Sequence, residues 1–216
     1  MRESGPIKTS PIKTERRIDP KQDRAAKTID QVLAAAADLL AADGFEKLTT
    51  NGICKRAGLT PPALYRYFPN KYAVVKELGE RLMARQNQVI ENWVAADVPF
   101  DQLEQGLVSL MVETVAVTQD TPAGAYIMRS LHASPVLASV RLASHRLVAQ
   151  QLTDWALIRF HDHDPKRVYQ MMRTVIEVSY AGLEMMFDEP QCDPDQTIAD
   201  LAAMVGFTVR QLAEPV

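Results

Sequence analysis

Apolar positions along the chain recur at three- and four-residue steps almost from end to end, the spacing of one buried helix face. Ile29, Val32, Leu33, Ala36 and Leu40 form one such stripe, and Gly44 follows as a stop. Val74, Leu78, Leu82 and Val89 mark a long helix reaching about Trp93. The same spacing predicts further helices over roughly 100–119, 122–132, 135–160, 165–188 and 194–213. No stretch alternates convincingly with period two. The expected fold is therefore all-α, with about nine helices and no internal repeat.

Prolines mark where these helices begin. Asp19-Pro20, Asp164-Pro165 and Asp193-Pro194 each set a carboxylate before a proline, and Thr60-Pro61, Thr121-Pro122 and Ser134-Pro135 set a hydroxyl there. A capping oxygen accepts from free first-turn amides, and proline at the first helical position forfeits no hydrogen bond. Gln22 and Gln196, three places after Asp19 and Asp193, resemble a capping box.

One segment has a sharper pattern. Residues 49–58, TTNGICKRAG, suit only a short helix: Thr49 or Thr50 caps it, Ile53 and Ala57 point inward, and Gly58 ends it. Leu59 then plugs the corner and Thr60 caps a second short helix, LTPPALYRYF, with Pro61 and Pro62 in its first turn. Two short helices across a tight glycine turn form a helix-turn-helix, which delivers its second helix to the DNA major groove. Leu64 and Phe68, four apart, make the inward stripe, leaving Tyr65, Arg66 and Tyr67 to fan outward. Arg66 then offers a donor fork to guanine O6 and N7, while the tyrosine hydroxyls and Lys71 reach phosphates.

Charge sharpens this picture. The net charge of −3 divides into residues 1–85, with 16 basic and 10 acidic side chains, and residues 86–216, with 8 and 17. A basic front and an acidic rear fit one end that meets a polyanion. The first 21 residues, rich in charge and proline, are expected to form a flexible basic arm. Residues 22–73 then make the helix-turn-helix domain and 74–216 a rear domain. No apolar run is long enough to span a bilayer, and the N-terminus has no secretory h-region. Cys54 and Cys192 have no metal-ligand spacing and suit reduced thiols in a cytoplasmic protein.

The stretch TTNGICKRAGLTPPALYRYFPNKYAVV resembles the DNA-binding head of the TetR (tetracycline-repressor) family. The shared elements are the threonine pair, Ile53, the Ala57-Gly58-Leu59 turn, Leu64-Tyr65-x-Tyr67-Phe68 and Lys71. The resemblance covers about residues 24–75. It implies a homodimeric repressor that releases a palindromic operator in double-stranded DNA when a small molecule binds the rear domain. It also implies phosphate contacts from Thr50, Tyr65, Tyr67 and Lys71, and base contacts from Pro61, Pro62, Ala63 and Arg66; Thr49 and Thr60 complete the expected DNA-binding set. The two prolines depart from the family's usual small or polar residues, and Gly52 interrupts the short helix at a propensity cost of ~1 kcal/mol. Cys54 fills a small buried slot. Base reading is expected to lean on Arg66, with Lys13, Arg16, Arg17, Lys21 and Arg24 of the arm adding phosphate or minor-groove contacts.

The last two helices are expected to form the dimer. In 165–188 one stripe runs Val168, Met172, Val175, Ser179, Gly182, Met186, and another Met171, Thr174, Val178, Ala181, Met185. A helix apolar on two faces needs cover on both, and small Ser179 and Gly182 suit a close partner helix. Ile198, Leu201, Val205, Val209 and Leu212 read as a near-heptad seam in the final helix. Met111, Tyr126, Met128, Trp155, Phe160 and Tyr180 suit an adaptable apolar cavity. The family resemblance implies a moderately apolar effector there, with Glu113, Arg129, His132, Arg141, His145 or Glu177 as alternative polar anchors. His161-Asp162-His163-Asp164 lacks further ligands, so no metal and no cofactor is expected. No nucleophile elbow, phosphate-binding glycine loop or carboxylate pair points to an enzyme. A helical interaction protein or activator that keeps the head without repressor-type release is the alternative.

Overall fold

A computed structural model describes residues 23–189 and 191–213, which form nine α-helices and no strand. The helices are α1 Asp23–Lys47, α2 Thr50–Ala57, α3 Pro61–Tyr65, α4 Lys71–Ala95, α5 Leu103–Asp120, α6 Gly124–Ser130, α7 Pro135–Arg159, α8 Pro165–Asp188 and α9 Pro194–Arg210. Short 3-10 turns precede α5 at Phe100–Gln102 and follow α9 at Gln211–Ala213. Among the described residues no helix is long and apolar enough to cross a membrane, and no group of three or more metal-ligating side chains gathers.

The inward stripe of α1 is buried as its spacing dictates, from Ile29 through Val32, Leu33 and Ala36 to Leu40. Gly44 breaks that helix at φ 76, and a last turn to Lys47 follows. Helix α4 packs on α1 at its start and on α5, α6 and α7 further along, so it links the first three helices to the rear. Helices α7 and α8 pack on each other, and α9 is held between α5 and α8.

Three of the proline caps form as expected. The Ser134 hydroxyl accepts from the Leu137 amide at 3.3 Å, Asp164 from Lys166 at 3.3 Å, and Asp193 from Asp195 and Gln196 at 3.0 and 3.2 Å. The capping box does not close, because the Gln196 amide donates forward to Asp200 at 2.9 Å. Asp19-Pro20 and the arm residues Lys13, Arg16, Arg17 and Lys21 lie outside the described residues.

Two expected caps are corrected. Thr60 occupies the N-cap of α3 without a side-chain bond. Pro62 has no N–H to offer, and the Ala63 amide is taken by the Thr60 carbonyl at 3.0 Å. Thr121-Pro122 starts no helix: Ala123 adopts φ 59, and α6 begins one residue later at Gly124. Gly124 is required there, since a Cβ would fall 2.0 Å from the Thr118 carbonyl oxygen.

Candidate nucleic-acid interface and rear polar cluster

Helix α2 is short because both ends are specified. Thr49 accepts from the Gly52 amide at 3.0 Å, and Gly58 at φ 66 closes the other end as the Leu59 amide reaches the Cys54 carbonyl at 2.9 Å. Gly52 has a local reason: a Cβ there would meet the capping Thr49 Oγ1 at 3.1 Å. Cys54 is buried, and burial raises its thiol pKa, so it is a small apolar filler.

Helix α3 is barely a turn and a half, too short to hold itself. Leu64 and Phe68, both fully buried, fasten it to the core. Pro61, Pro62, Tyr65 and Arg66 are exposed, and Ala63 is half-buried. The Tyr65 and Thr50 hydroxyls lie 2.9 Å apart, which joins the outer face of α3 to the start of α2. Arg56 clamps α2 to α1 through Asp38, at 2.7 and 3.0 Å. Between α3 and the start of α1 lies a groove of about 500 Å³ bordered by Arg24, Thr28, Leu59, Ala63, Arg66 and Tyr67.

Two residues sit otherwise than the sequence pattern suggested. Tyr67 does not fan outward; it is 6% exposed and packs in the core with Phe68. Arg66 keeps helical backbone angles, and the Tyr67 and Phe68 amides both return to the Leu64 carbonyl, at 3.0 and 2.9 Å, so Tyr67, three places after Leu64, shares the inward face with Phe68. Lys71 is half-buried: its ammonium donates to the Phe45 carbonyl at 3.0 Å and lies 4.4 Å from the Phe45 ring centroid. It thus satisfies carbonyls at the end of α1, where a cation is favoured.

The six expected pocket residues do not share one cavity. Trp155 pairs with Trp93 at 5.4 Å and Phe160 with Phe100 at 5.1 Å, while Met111 is buried in the core. Tyr126 is 39% exposed and faces Arg129, because it lies on the outer side of the short α6. Met128 and Tyr180 do meet, at Gln86. The Gln86 amide donates to Thr118 at 2.8 Å and approaches the Met128 sulfur at 3.7 Å, and the Tyr180 hydroxyl donates to Gln86 at 3.2 Å. Gln86 falls on the inward spacing Leu78, Leu82, Gln86, Ile90, so a polar break in an apolar stripe was the sequence signal for it.

Beside this pair lies an ionic cluster between α7 and α8. Glu177 accepts from Arg141 at 2.9 Å and Arg173 at 2.5 Å, and the His145 Nδ1 lies 3.1 Å from it. The His145 ring is fully buried and lies 4.2 Å from the Tyr180 ring centroid. Burial lowers the His145 pKa to about 4, outweighing Glu177, with Arg141 and Arg173 adding to the fall. Burial works to raise Glu177, but hydrogen bonds from His145 and Arg173 and the charge of Arg141 bring it down to about 2. A neutral His145 donates from Nδ1, which leaves Nε2 as a buried acceptor without a partner; Arg141 Nε and Arg173 Nη1 are unpartnered donors.

The linkage gives a pH prediction. Below pH 6.5 the unfolded chain protonates this histidine while the folded chain does not until about pH 4, so stability falls across that window as pH falls. The expected loss is about 3 kcal/mol. The Glu177 contribution, present above its ordinary pKa, fades at still lower pH, toward about 2. Urea unfolding between pH 7 and pH 4 should show a slope that His145→Phe flattens; equal slopes in both proteins would refute the linkage.

The geometry at residues 49–68 defines a helix-turn-helix protein. Residues 32–78 match the model of bacterial regulatory proteins, tetR family. Over these residues the chain is similar to the DNA-binding head of that family. It is similar to the HTH-type transcriptional regulator UidR of Escherichia coli K12, 26% identical over 125 residues, covering 53% of this chain and 64% of that protein. It is also similar to the class A tetracycline repressor of transposon 1721 from Escherichia coli, 41% identical over 56 residues, 26% of each chain. These matches thus span about two thirds and a quarter of their relatives' lengths. Among solved structures, a TetR-family transcriptional regulator from Streptomyces coelicolor superposes with TM-score 0.62 at 19% identity, covering 86% of this chain and 99% of that one. The SmeT–triclosan complex superposes with TM-score 0.64 at 20% identity, covering 86% and 91%. Both likenesses concern the fold.

Proposed function

We propose that this protein is a cytoplasmic, ligand-responsive transcriptional regulator that binds a palindromic duplex as a homodimer and releases it when a small molecule occupies its rear helices. The observation that carries the reading is α3: a proline-started helix pinned by Leu64 and Phe68, with Pro61, Pro62, Ala63, Tyr65 and Arg66 on its outer side. Arg66 is the base-reading group, and Thr50 with Tyr65 forms the phosphate-facing pair. Tyr67 and Lys71 support these from behind. The arm 1–21, the head 22–73 and the rear 74–216 divide the work accordingly. Selection of genomic fragments by the purified protein tests this: a two-fold symmetric, salt-sensitive site is expected. Fragments bound without sequence preference would overturn it.

The outer faces of α8 and α9 support the dimer. The near-heptad seam Ile198, Leu201, Val205, Val209, Leu212 is spent within the protomer, and a Cβ on Gly182 would lie 2.6 Å from Leu201 of the same chain. Both features therefore serve packing of α9 on its own neighbours. The exposed apolar groups are instead Val178 and Met185 on α8 and Met204 and Phe207 on α9, the last 66% exposed. Exposed apolar side chains on both of the last two helices are in keeping with a partner surface there. Phe207→Glu is expected to convert dimer to monomer with helicity retained, as read by light scattering and circular dichroism; an unchanged mass would place the interface elsewhere.

For the effector, the unpartnered atoms around Glu177 and the Gln86–Tyr180 pair supply polar anchors within an apolar rear. The triclosan bound by SmeT, a protein of like fold, is in keeping with a moderately apolar ligand.

A further inference from the structure

The first three helices and the rear meet across a cleft of about 380 Å³, within the size range of small-molecule sites. Its walls are Leu33, Ala34 and Ala37 of α1, Leu78 and Leu82 of α4, and Ile127 of α6. All are aliphatic, and the two alanines of α1 leave the space that larger side chains would fill. The rim is charged. Arg81 is already neutralised, at 2.9 Å from Asp30 and 3.1 Å from Glu77. Arg85 is not: it donates to the Thr121 hydroxyl at 2.6 Å, and no described carboxylate forms an ion pair with it. Thr121 itself donates to the Val117 carbonyl at 2.6 Å, so its hydroxyl offers Arg85 no negative charge.

An aliphatic floor with one unneutralised guanidinium at its edge is complementary to an amphipathic anion. We propose that the cleft between α1, α4 and α6 binds a small molecule with an aliphatic chain and a single carboxylate, its head group paired to Arg85. The chain lies against Leu33, Leu82 and Ile127, and the carboxylate replaces the Thr121 hydroxyl on the guanidinium. The site is separate from the polar cluster of α7 and α8. Because one wall belongs to α1 and the others to α4 and α6, an occupant joins the DNA-facing helices to the rear; only this regulatory consequence rests on the function proposed above.

Calorimetry on the full chain with decanoate, and with decan-1-ol as its uncharged counterpart, tests the site. Decanoate should bind saturably and about tenfold or more tighter than the alcohol, the worth of one charge-assisted pair. Arg85→Gln should reduce decanoate to the affinity of the alcohol without weakening the alcohol. Ala34→Phe, a change at an exposed position that fills the cleft, should abolish binding of both while leaving thermal unfolding near that of the parent. Absence of saturable decanoate binding, equal affinity for acid and alcohol, or decanoate binding undiminished in Ala34→Phe would each overturn the proposal. Failure to bind any duplex would overturn the proposed regulator and leave this result standing, since the titration is read on protein alone.

Discussion

Arg66→Ala is expected to weaken binding to the selected duplex by about 1–3 kcal/mol in each half-site, and so by about 2–6 kcal/mol in a two-fold complex. The size follows from how little else on α3 carries a donor. Pro61 and Pro62 present ring carbons, Ala63 a methyl group, and the Tyr65 hydroxyl is already engaged with Thr50. Arg66 is exposed, at the end of the helix, and its guanidinium lies 5.8 Å from the Tyr67 ring centroid. A bidentate contact from it would supply most of the direct base discrimination, with the prolines adding apolar contact alone. The variant should therefore lose preference at one base pair per half-site while keeping its melting curve. Fluorescence anisotropy against single-base variants of the duplex measures both effects. If affinity and base preference survive intact, α3 does not read DNA through this residue.

Phe68→Ala should cost about 3–5 kcal/mol of unfolding free energy, the range for removing a fully buried phenylalanine. That is a large part of the margin by which a protein of this kind is folded. Phe68 is 0% exposed, and its amide caps the end of α3 by bonding to the Leu64 carbonyl at 2.9 Å. The ring thus fixes both the depth of α3 and the direction in which the chain departs for α4. Phe68→Leu, which keeps most of the volume, should lose less than about 1.5 kcal/mol. Urea unfolding of the pair separates loss of packing from loss of any aromatic contact with DNA: a Phe68→Ala midpoint equal to the parent's would show that the ring is no anchor. In the alanine variant, DNA binding should fail under conditions where the rear helices remain folded.

These two predictions use residues that differ in how plainly the sequence declared them. Leu64 and Phe68 were set apart by a four-residue interval, and Arg66 by exclusion from it. Tyr67 departs from the expected outward fan because it lies three places after Leu64, and a helical face takes in both the third and the fourth residue, so its ring is buried beside Phe68. Lys71 looked like a phosphate ligand by position alone, but its carbonyl partners lie 25 and 26 residues earlier in the chain. Local pattern holds no record of such a contact. In the rear, Gln86 went unread although it interrupts the apolar spacing of Leu78, Leu82 and Ile90, and its bonds to Thr118 and to Tyr180, 94 residues away, lie beyond any local pattern.

The sequence by itself determined the helices, most of their ends and the identity of the head. Those features rest on intervals of three or four residues, on proline and glycine at helix ends, and on capping side chains within reach of the next turn. The tertiary structure decided which apolar faces were satisfied inside the protomer and which were left outward. Two apolar stripes on one helix look alike until a neighbour covers one of them. Gly182 and Leu201 settled that choice by closing α8 on α9 within the chain, leaving Met204 and Phe207 exposed to solvent.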